Sequence, residues 1–181
     1  LLAHVSRDDE DRIEQMRRAG DVAGLGRIAK DANKADATRA VEALGSLGDG
    51  AVEALLVACE DPRPAVREQS VLSLGTATHL DHAQKLVGIL KTDSSPQVRA
   101  AAARTLGQNY ACKQMPDLTD ALEDTDPTVR ASVHWSVARI MGIRFGLKPN
   151  DPPGKRREAM ENYRDLWRTL GKQITKFHNE R

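Results

Sequence analysis

The chain has 181 residues, of which 40% are apolar and 29% charged, so we expect a globular domain with a substantial core rather than a disordered chain. Its formal net charge of +1 gives the whole molecule no electrostatic attraction to nucleic acid or to an anionic membrane. No run of 18 apolar residues is present, so no membrane-spanning helix is predicted.

Three segments are predicted along the chain. Residues 1–20 form an N-terminal helix, residues 21–147 a repeat domain, and residues 148–181 a linker followed by a long amphipathic, basic helix. Leu1-Leu2-Ala3 is too short for a signal peptide. A cytoplasmic location is therefore favoured, with an exported form that has lost its signal as the alternative.

One pattern, Asp-x-x-Pro-x-Val-Arg, occurs three times, at residues 61–67, 93–99 and 124–130. The arginines are 32 and 31 residues apart, and a fixed period of this size is typical of stacked helical repeats. Each proline suits the first turn of a helix, where its missing N–H costs nothing. A fourth, diverged copy ends at Gly45, so about four two-helix repeats are predicted.

Three glycines and one cysteine are predicted to have structural roles. Gly45, Gly75 and Gly107 are predicted to take the left-handed position that ends the first helix of each repeat. Second helices are predicted over about residues 50–59, 81–91 and 116–123. Cys59 falls where Leu122 stands in the later repeat, so it is predicted to be a small core residue.

The repeated segment, followed by an Ala-rich helix and Leu-Gly, resembles the HEAT-like repeats of the phycobilisome-lyase type over about residues 21–142. The resemblance implies an all-α, right-handed α-solenoid of about four short HEAT-like two-helix repeats with N- and C-terminal capping helices. In that family the recurring Asp and Arg form a structural ladder between neighbouring repeats. The matching residues here are Asp61, Arg67, Asp93, Arg99, Asp124 and Arg130.

Two kinds of enzyme share such repeats. Bilin lyases and isomerases hold a tetrapyrrole, but this sequence has no motif that marks a chromophore pocket and few aromatic residues to line one. Deoxyhypusine hydroxylase binds iron through His-Glu dipeptides, and none occurs here. No nucleophile, nucleotide-binding or dinucleotide-binding motif is present either. We therefore predict no catalytic residue, no cofactor and no metal site, and favour a non-enzymatic role.

Two further features receive structural interpretations. His79 and His82 lie close together, but they lack the further ligands that a zinc site requires, so we predict a polar loop and helix start. Trp135 is predicted to be a large core residue that fills space beside the terminal helix.

The C-terminal helix carries the strongest functional signal. Its apolar residues from Met160 to Phe177 follow a 3-4-3-4-3 spacing, which predicts a heptad seam. Basic residues recur every fourth position from Arg164 to Lys176, and residues 143–181 have a net charge of +5 against −4 for residues 1–142. The seam either caps the last repeat or pairs with another chain, and the basic stripe is either solvated or contacts phosphates.

The second helices are expected to build the concave face. Together with the basic stripe they supply the predicted binding residues: Glu53, His82, Lys85, Asp117, Asp120, Arg164, Arg168 and Lys172. The predicted function is a non-catalytic protein-interaction, scaffold or assembly module. The alternatives are a tetrapyrrole (bilin) lyase or isomerase subunit and a nucleic-acid contact through the basic helix. The expected partner is another protein or the subunits of a larger assembly. Nucleic acid is not expected, and no small-molecule substrate is evident.

Overall fold

The computed structural model describes residues 7–77, 82–148 and 150–180, and these residues form helices joined by turns, with no strand among them. The chain forms two compact units, residues 1–79 and 80–181. The predicted all-α fold class is confirmed, whereas the predicted three-part division stays a prediction.

The first unit contains α1 (Arg7–Ala19), α2 (Val22–Asp31), α3 (Lys34–Gly45), α4 (Val52–Ala58) and α5 (Pro64–Ala77). The second contains α6 (Ala83–Thr92), α7 (Pro96–Gln108), α8 (Met115–Asp120), α9 (Pro127–Met141) and the 27-residue α10 (Pro153–Asn179). Short 3₁₀ turns at Gly48–Ala51, Cys112–Gln114 and Ala121–Glu123 adjoin α4 and α8. No described helix combines the length and apolar character that crossing a membrane requires.

The recurring segment makes the same turn three times. The backbone N–H of the residue two positions after the aspartate donates to that carboxylate at 2.8 Å in each copy, which forms an Asx turn. The arginine six positions after the aspartate then donates from Nη1 to the aspartate's own carbonyl, at 2.9, 2.9 and 2.8 Å. We call this unit the Asp–Arg joint; its copies begin at Asp61, Asp93 and Asp124.

Arg99 and Asp124, two of the ladder residues, form an ion pair across successive repeats. Arg99 Nε and Nη2 each lie 2.8 Å from a carboxylate oxygen of Asp124, and both side chains are only 12% exposed. Burial alone would raise the pKa of Asp124, but hydrogen bonds from Arg99 and the Asp126 N–H hold it below its usual value. Asp61 instead pairs with Arg63 at 2.7 Å, and Arg63 also donates to the carbonyls of Ala29 and Ala32.

The predicted role of the repeat glycines was wrong. Gly45, Gly75 and Gly107 lie within helices, and the described glycines with positive φ are Gly20, Gly48, Gly142 and Gly146. A Cβ on Gly45 would lie 2.7 Å from the Ser73 Cβ, and a Cβ on Gly107 would lie 2.5 Å from the Ser136 Cβ. Glycine is needed because helices α3 and α5, and likewise α7 and α9, meet there at backbone distance.

In the second unit, Ser136 adds hydrogen bonds to the contact between α7 and α9. The fully buried Ser136 hydroxyl lies 2.8 Å from the Ala103 carbonyl of α7 and 2.8 Å from the Ser132 carbonyl of its own helix. The facing stretch of α7 is correspondingly small, since residues 100–103 are all alanine and all buried. The repeats therefore pack through small residues.

Cys59 and Trp135 were both predicted to lie in the core, and the structure buries only the first of them. Cys59 is buried in the core of the first unit, as predicted. Trp135, predicted to fill the core, is 38% exposed and lies on the surface of α9. The fully buried aromatic is instead Tyr163 of α10.

We expect Gly107→Ala to lower the free energy of unfolding by about 1–3 kcal/mol, because the new methyl group would overlap Ser136 across the α7–α9 contact. The matched control is Gly88→Ala in α6, where nothing lies within 4 Å of the added Cβ. It should raise stability by about 0.5–1 kcal/mol through helix propensity. Urea unfolding followed by circular dichroism measures both; equal stabilities would contradict the close-approach account.

Arg99→Ala should cost about 3–5 kcal/mol, because it leaves the Asp124 carboxylate charged and poorly solvated. Arg168→Ala is the control: its pair with Asp165 is exposed on both sides and should contribute at most about 1 kcal/mol.

The Arg99 effect should also depend on pH. Because the folded pKa of Asp124 is lowered, the pair stabilises the protein above the unfolded carboxyl pKa and loses its effect as pH falls through the folded value. The difference in the free energy of unfolding between wild type and Arg99→Ala should therefore become smaller as the pH falls. If this difference stayed constant down to the pH at which Asp124 is fully protonated, another contact would be responsible for the effect.

Candidate functional site

The N-terminal half of α10 packs against the rest of the second unit. Met160 and Tyr163 are buried, and the Tyr163 hydroxyl accepts a hydrogen bond from the Phe145 N–H at 3.3 Å. Further along the seam Trp167 is half-buried, and Phe177 is 50% exposed. The helix packs against α8, α9 and the adjoining 3₁₀ turns.

The acidic residues of α8 are already neutralised by neighbouring helices. Asp120 accepts a hydrogen bond from Arg164 of α10 at 2.5 Å, and Asp117 accepts one from Lys91 of α6 at 2.5 Å. These ion pairs are partly exposed, so each adds little to stability. Their main effect is to commit Arg164 and both α8 carboxylates to internal contacts.

The rest of the basic stripe lines a groove of about 660 Å³, which we call the α10 groove. Its residues come from one face of α10 and from the segment that begins at the 3₁₀ turn before α8. They are Cys112, Lys113, Pro116, Trp167, Arg168, Gly171, Lys172, Thr175, Lys176, Asn179 and Glu180. Four of these side chains are cationic and one is a carboxylate, so the groove attracts anions.

The indole of Trp167 lies across the α10 backbone because Gly171 leaves room for it. A Cβ on Gly171 would lie 2.9 Å from Cε2 and 3.0 Å from Cδ2 of the indole. Glycine inside a helix costs about 1 kcal/mol relative to alanine, so close packing of the ring gives it a structural reason. The groove thereby has one flat aromatic surface.

The four cations differ in how they are neutralised. Arg168 lies 2.9 Å from Asp165, and Lys176 lies 3.8 Å from Glu180, in pairs that are exposed on both sides. Within the described residues, Lys113 and Lys172 have no carboxylate within 4.0 Å, and both are exposed. Their charges are therefore available to an anionic ligand.

Cys112 contributes a buried thiol to the groove. Burial raises the pKa of Cys112, and a hydrogen bond with Thr175 only partly opposes this. The thiol is therefore protonated at neutral pH and is a poor nucleophile.

A second, smaller cavity of about 400 Å³ lies on the other side of α10. There the Tyr110 and His178 rings stack with centroids 4.2 Å apart, and Tyr110 has a φ of +51°. The Arg139 guanidinium lies 4.7 Å from the Tyr110 centroid and 5.4 Å from that of Trp135. We call this the aromatic pocket.

The aromatic residues are few but unevenly placed. All six Phe, Tyr and Trp residues fall between residues 110 and 177. This clustering was the signal that the sequence analysis missed, because it weighed only the number of aromatic residues when it judged whether a chromophore pocket could form. It also missed Cys112, Lys113 and Trp167 as groove residues, since the two walls are about fifty residues apart in the chain.

The predicted binding residues have different surroundings in the structure. Arg168 and Lys172 line the α10 groove, whereas Asp117, Asp120 and Arg164 are engaged in ion pairs. His82 precedes α6, Lys85 is exposed on α6, and Glu53 is exposed on α4 in the first unit. His79 lies outside the described residues. No cluster of three potential metal ligands occurs in the described part of the chain.

Comparison with known proteins places these observations in a family. A sequence model of HEAT repeats matches residues 22–107 and 83–146. The phycocyanobilin lyase subunit beta of Thermosynechococcus vestitus is 39% identical over 75 residues, which are 41% of this chain. The match spans only 35% of that relative's length.

Two solved structures share the fold. One is the complex of CpcE and CpcF of phycocyanin lyase from Nostoc sp. PCC7120, with a TM-score of 0.59 and 21% identity over 81% of this chain and 99% of the matched chain. The other is a designed armadillo repeat protein in complex with the peptide (KR)4, with a TM-score of 0.50 and 16% identity over 93% of this chain and 83% of the other. The recurring joint, the helix pairs and the family model agree, and the chain belongs to the HEAT-repeat proteins.

Proposed function

We propose that this chain is a subunit of a lyase that attaches a bilin to an acceptor protein, and that it works with a second HEAT-repeat subunit. The observation that carries the proposal is the 39% identity over 75 residues to a phycocyanobilin lyase subunit. The match covers part of each chain, so the activity, the bilin and the partner subunit all belong to the proposal. The CpcE–CpcF complex supports the choice of a second repeat protein as partner.

The prediction of a non-catalytic interaction or scaffold module was wrong. The similarity to a phycocyanobilin lyase subunit favours the alternative of a bilin lyase subunit. The sequence-based prediction ranked this alternative second because aromatic residues were few and no pocket motif was visible. A groove whose walls come from distant segments leaves no such motif.

The α10 groove supports the proposal through its size and charge. A bilin is an extended, conjugated tetrapyrrole with two propionate carboxylates. A groove of about 660 Å³ is within the usual size of small-molecule sites, and its lining offers cations for carboxylates and an indole for a conjugated ring.

The groove favours holding the substrate over covalent chemistry by this chain. Its thiol, Cys112, has a raised pKa and is buried. The other titratable residues that line the groove are Lys, Arg and Glu, and no histidine is among them. We therefore assign to this chain the binding and orientation of the bilin, while the reacting group comes from the acceptor.

A complementation assay tests the function. Phycocyanin lyase is reconstituted with CpcE alone or CpcF alone, and this chain is added with phycocyanobilin and apophycocyanin. We expect covalent attachment, detected as zinc-induced fluorescence on a denaturing gel, to rise at least about tenfold over the bilin-only background with one of the two subunits. Background attachment in both mixtures, with the chain folded by circular dichroism, would contradict the proposal.

A further inference from the structure

We propose that the α10 groove is a dicarboxylate site for an open-chain tetrapyrrole. In this site Lys113 and Lys172 bind the carboxylates, and the indole of Trp167 supports a pyrrole ring. The inference rests on the proposed function for the identity of the ligand. Its residues and contacts come from the groove itself.

Charged side chains are paired differently in the groove and in its surroundings. Carboxylates on α8 face cations of α6 and α10 and are paired with them, as Asp117 with Lys91 and Asp120 with Arg164. Beyond Arg164 the basic stripe continues into the groove. There Lys172 of the stripe and Lys113 of the facing segment have no carboxylate partner among the described residues. An anionic ligand would supply the missing counter-charge.

The cations of the groove are spaced by successive turns of α10. Residues four apart on a helix are separated by about 6 Å along its axis, so Arg168, Lys172 and Lys176 present cations at successive turns. Lys113 approaches from the opposite wall. The two propionates of a bilin project from its two neighbouring central rings, so cations on successive turns and on both walls can hold them at once.

The groove also offers an aromatic surface. Gly171 lets the Trp167 indole lie flat against α10, and any larger residue at that position would meet the ring. An indole seated against the α10 backbone beside a row of cations suits a ligand that is both conjugated and anionic. A simple inorganic anion would use only the cations.

The aromatic pocket fits this ligand less well. It is smaller, at about 400 Å³, and its lining includes one guanidinium, Arg139, which already lies beside the Tyr110 and Trp135 rings. One engaged cation is a poor match for two carboxylates. This pocket therefore provides an internal comparison for the experiment.

Biliverdin is the probe for the test, since it is an open-chain tetrapyrrole with two propionates. It is titrated into the full chain carrying Trp135→Phe, so that binding is followed by quenching of the remaining tryptophan, Trp167, and by the visible absorption band. We expect Lys113→Gln/Lys172→Gln to weaken binding by roughly tenfold or more. The matched control, Lys148→Gln/Lys155→Gln, removes two exposed cations outside the groove and should leave affinity unchanged.

Biliverdin dimethyl ester separates carboxylate recognition from ring binding. The ester should bind the unsubstituted chain as weakly as the acid binds the Lys113→Gln/Lys172→Gln chain, and the two lysine substitutions should not affect it. If the ester binds as tightly as the acid, or if the groove and control variants behave alike, the dicarboxylate site is overturned. Loss of binding on Arg139→Gln instead would move the site to the aromatic pocket and also overturn it.

The outcome is independent of the complementation assay. Lysine-dependent biliverdin binding without bilin attachment would support the site and reject the lyase function. Bilin attachment that survives Lys113→Gln/Lys172→Gln at full rate would support the function and reject the site.

Discussion

The Asp–Arg joint is the contact on which the repeat architecture depends. In each copy the carboxylate turns the chain by accepting a backbone N–H two residues on, and the arginine at the start of the next helix binds the aspartate's carbonyl. Both ends of the turn are thus held by hydrogen bonds, which restricts the angle at which the following helix begins. With that angle set, successive first helices can approach at backbone distance, where Gly45 meets Ser73 and Gly107 meets Ser136. Neither contact tolerates a larger residue, so joint and glycine act together.

Close approach limits what the repeats can contain. Small residues such as the alanines of α7 are needed where helices touch, and large rings have no place between them. The aromatic residues lie instead in the part of the chain from Tyr110 onward, around α9 and α10. Tyr163 anchors α10, Trp167 lies in the α10 groove, and Tyr110 and Trp135 surround Arg139. The aromatic surfaces of the protein therefore concentrate beside the long terminal helix.

The fold class was predictable from sequence because the period of the joint is visible in one dimension. The role of the glycines was not, because a glycine that ends a helix and one that admits a neighbouring helix look alike in sequence. Only the position of Ser136, 29 residues later, distinguishes them. The candidate site shows the same limit. The basic stripe was visible in the sequence, but only the structure shows that Asp120 neutralises Arg164, whereas Lys172 has no carboxylate partner in the described chain. The opposite wall, with Cys112 and Lys113, gave no local signal at all.

Hydrogen–deuterium exchange of the full chain, with and without saturating biliverdin, tests the central claim that α10 and the segment before α8 together form the ligand site. Bound ligand should slow exchange in two separate stretches, residues 112–116 and 167–180, while the Asp–Arg joints exchange as before. Protection confined to the helices of the first unit, or to residues 139–142 beside the aromatic pocket, would contradict the account.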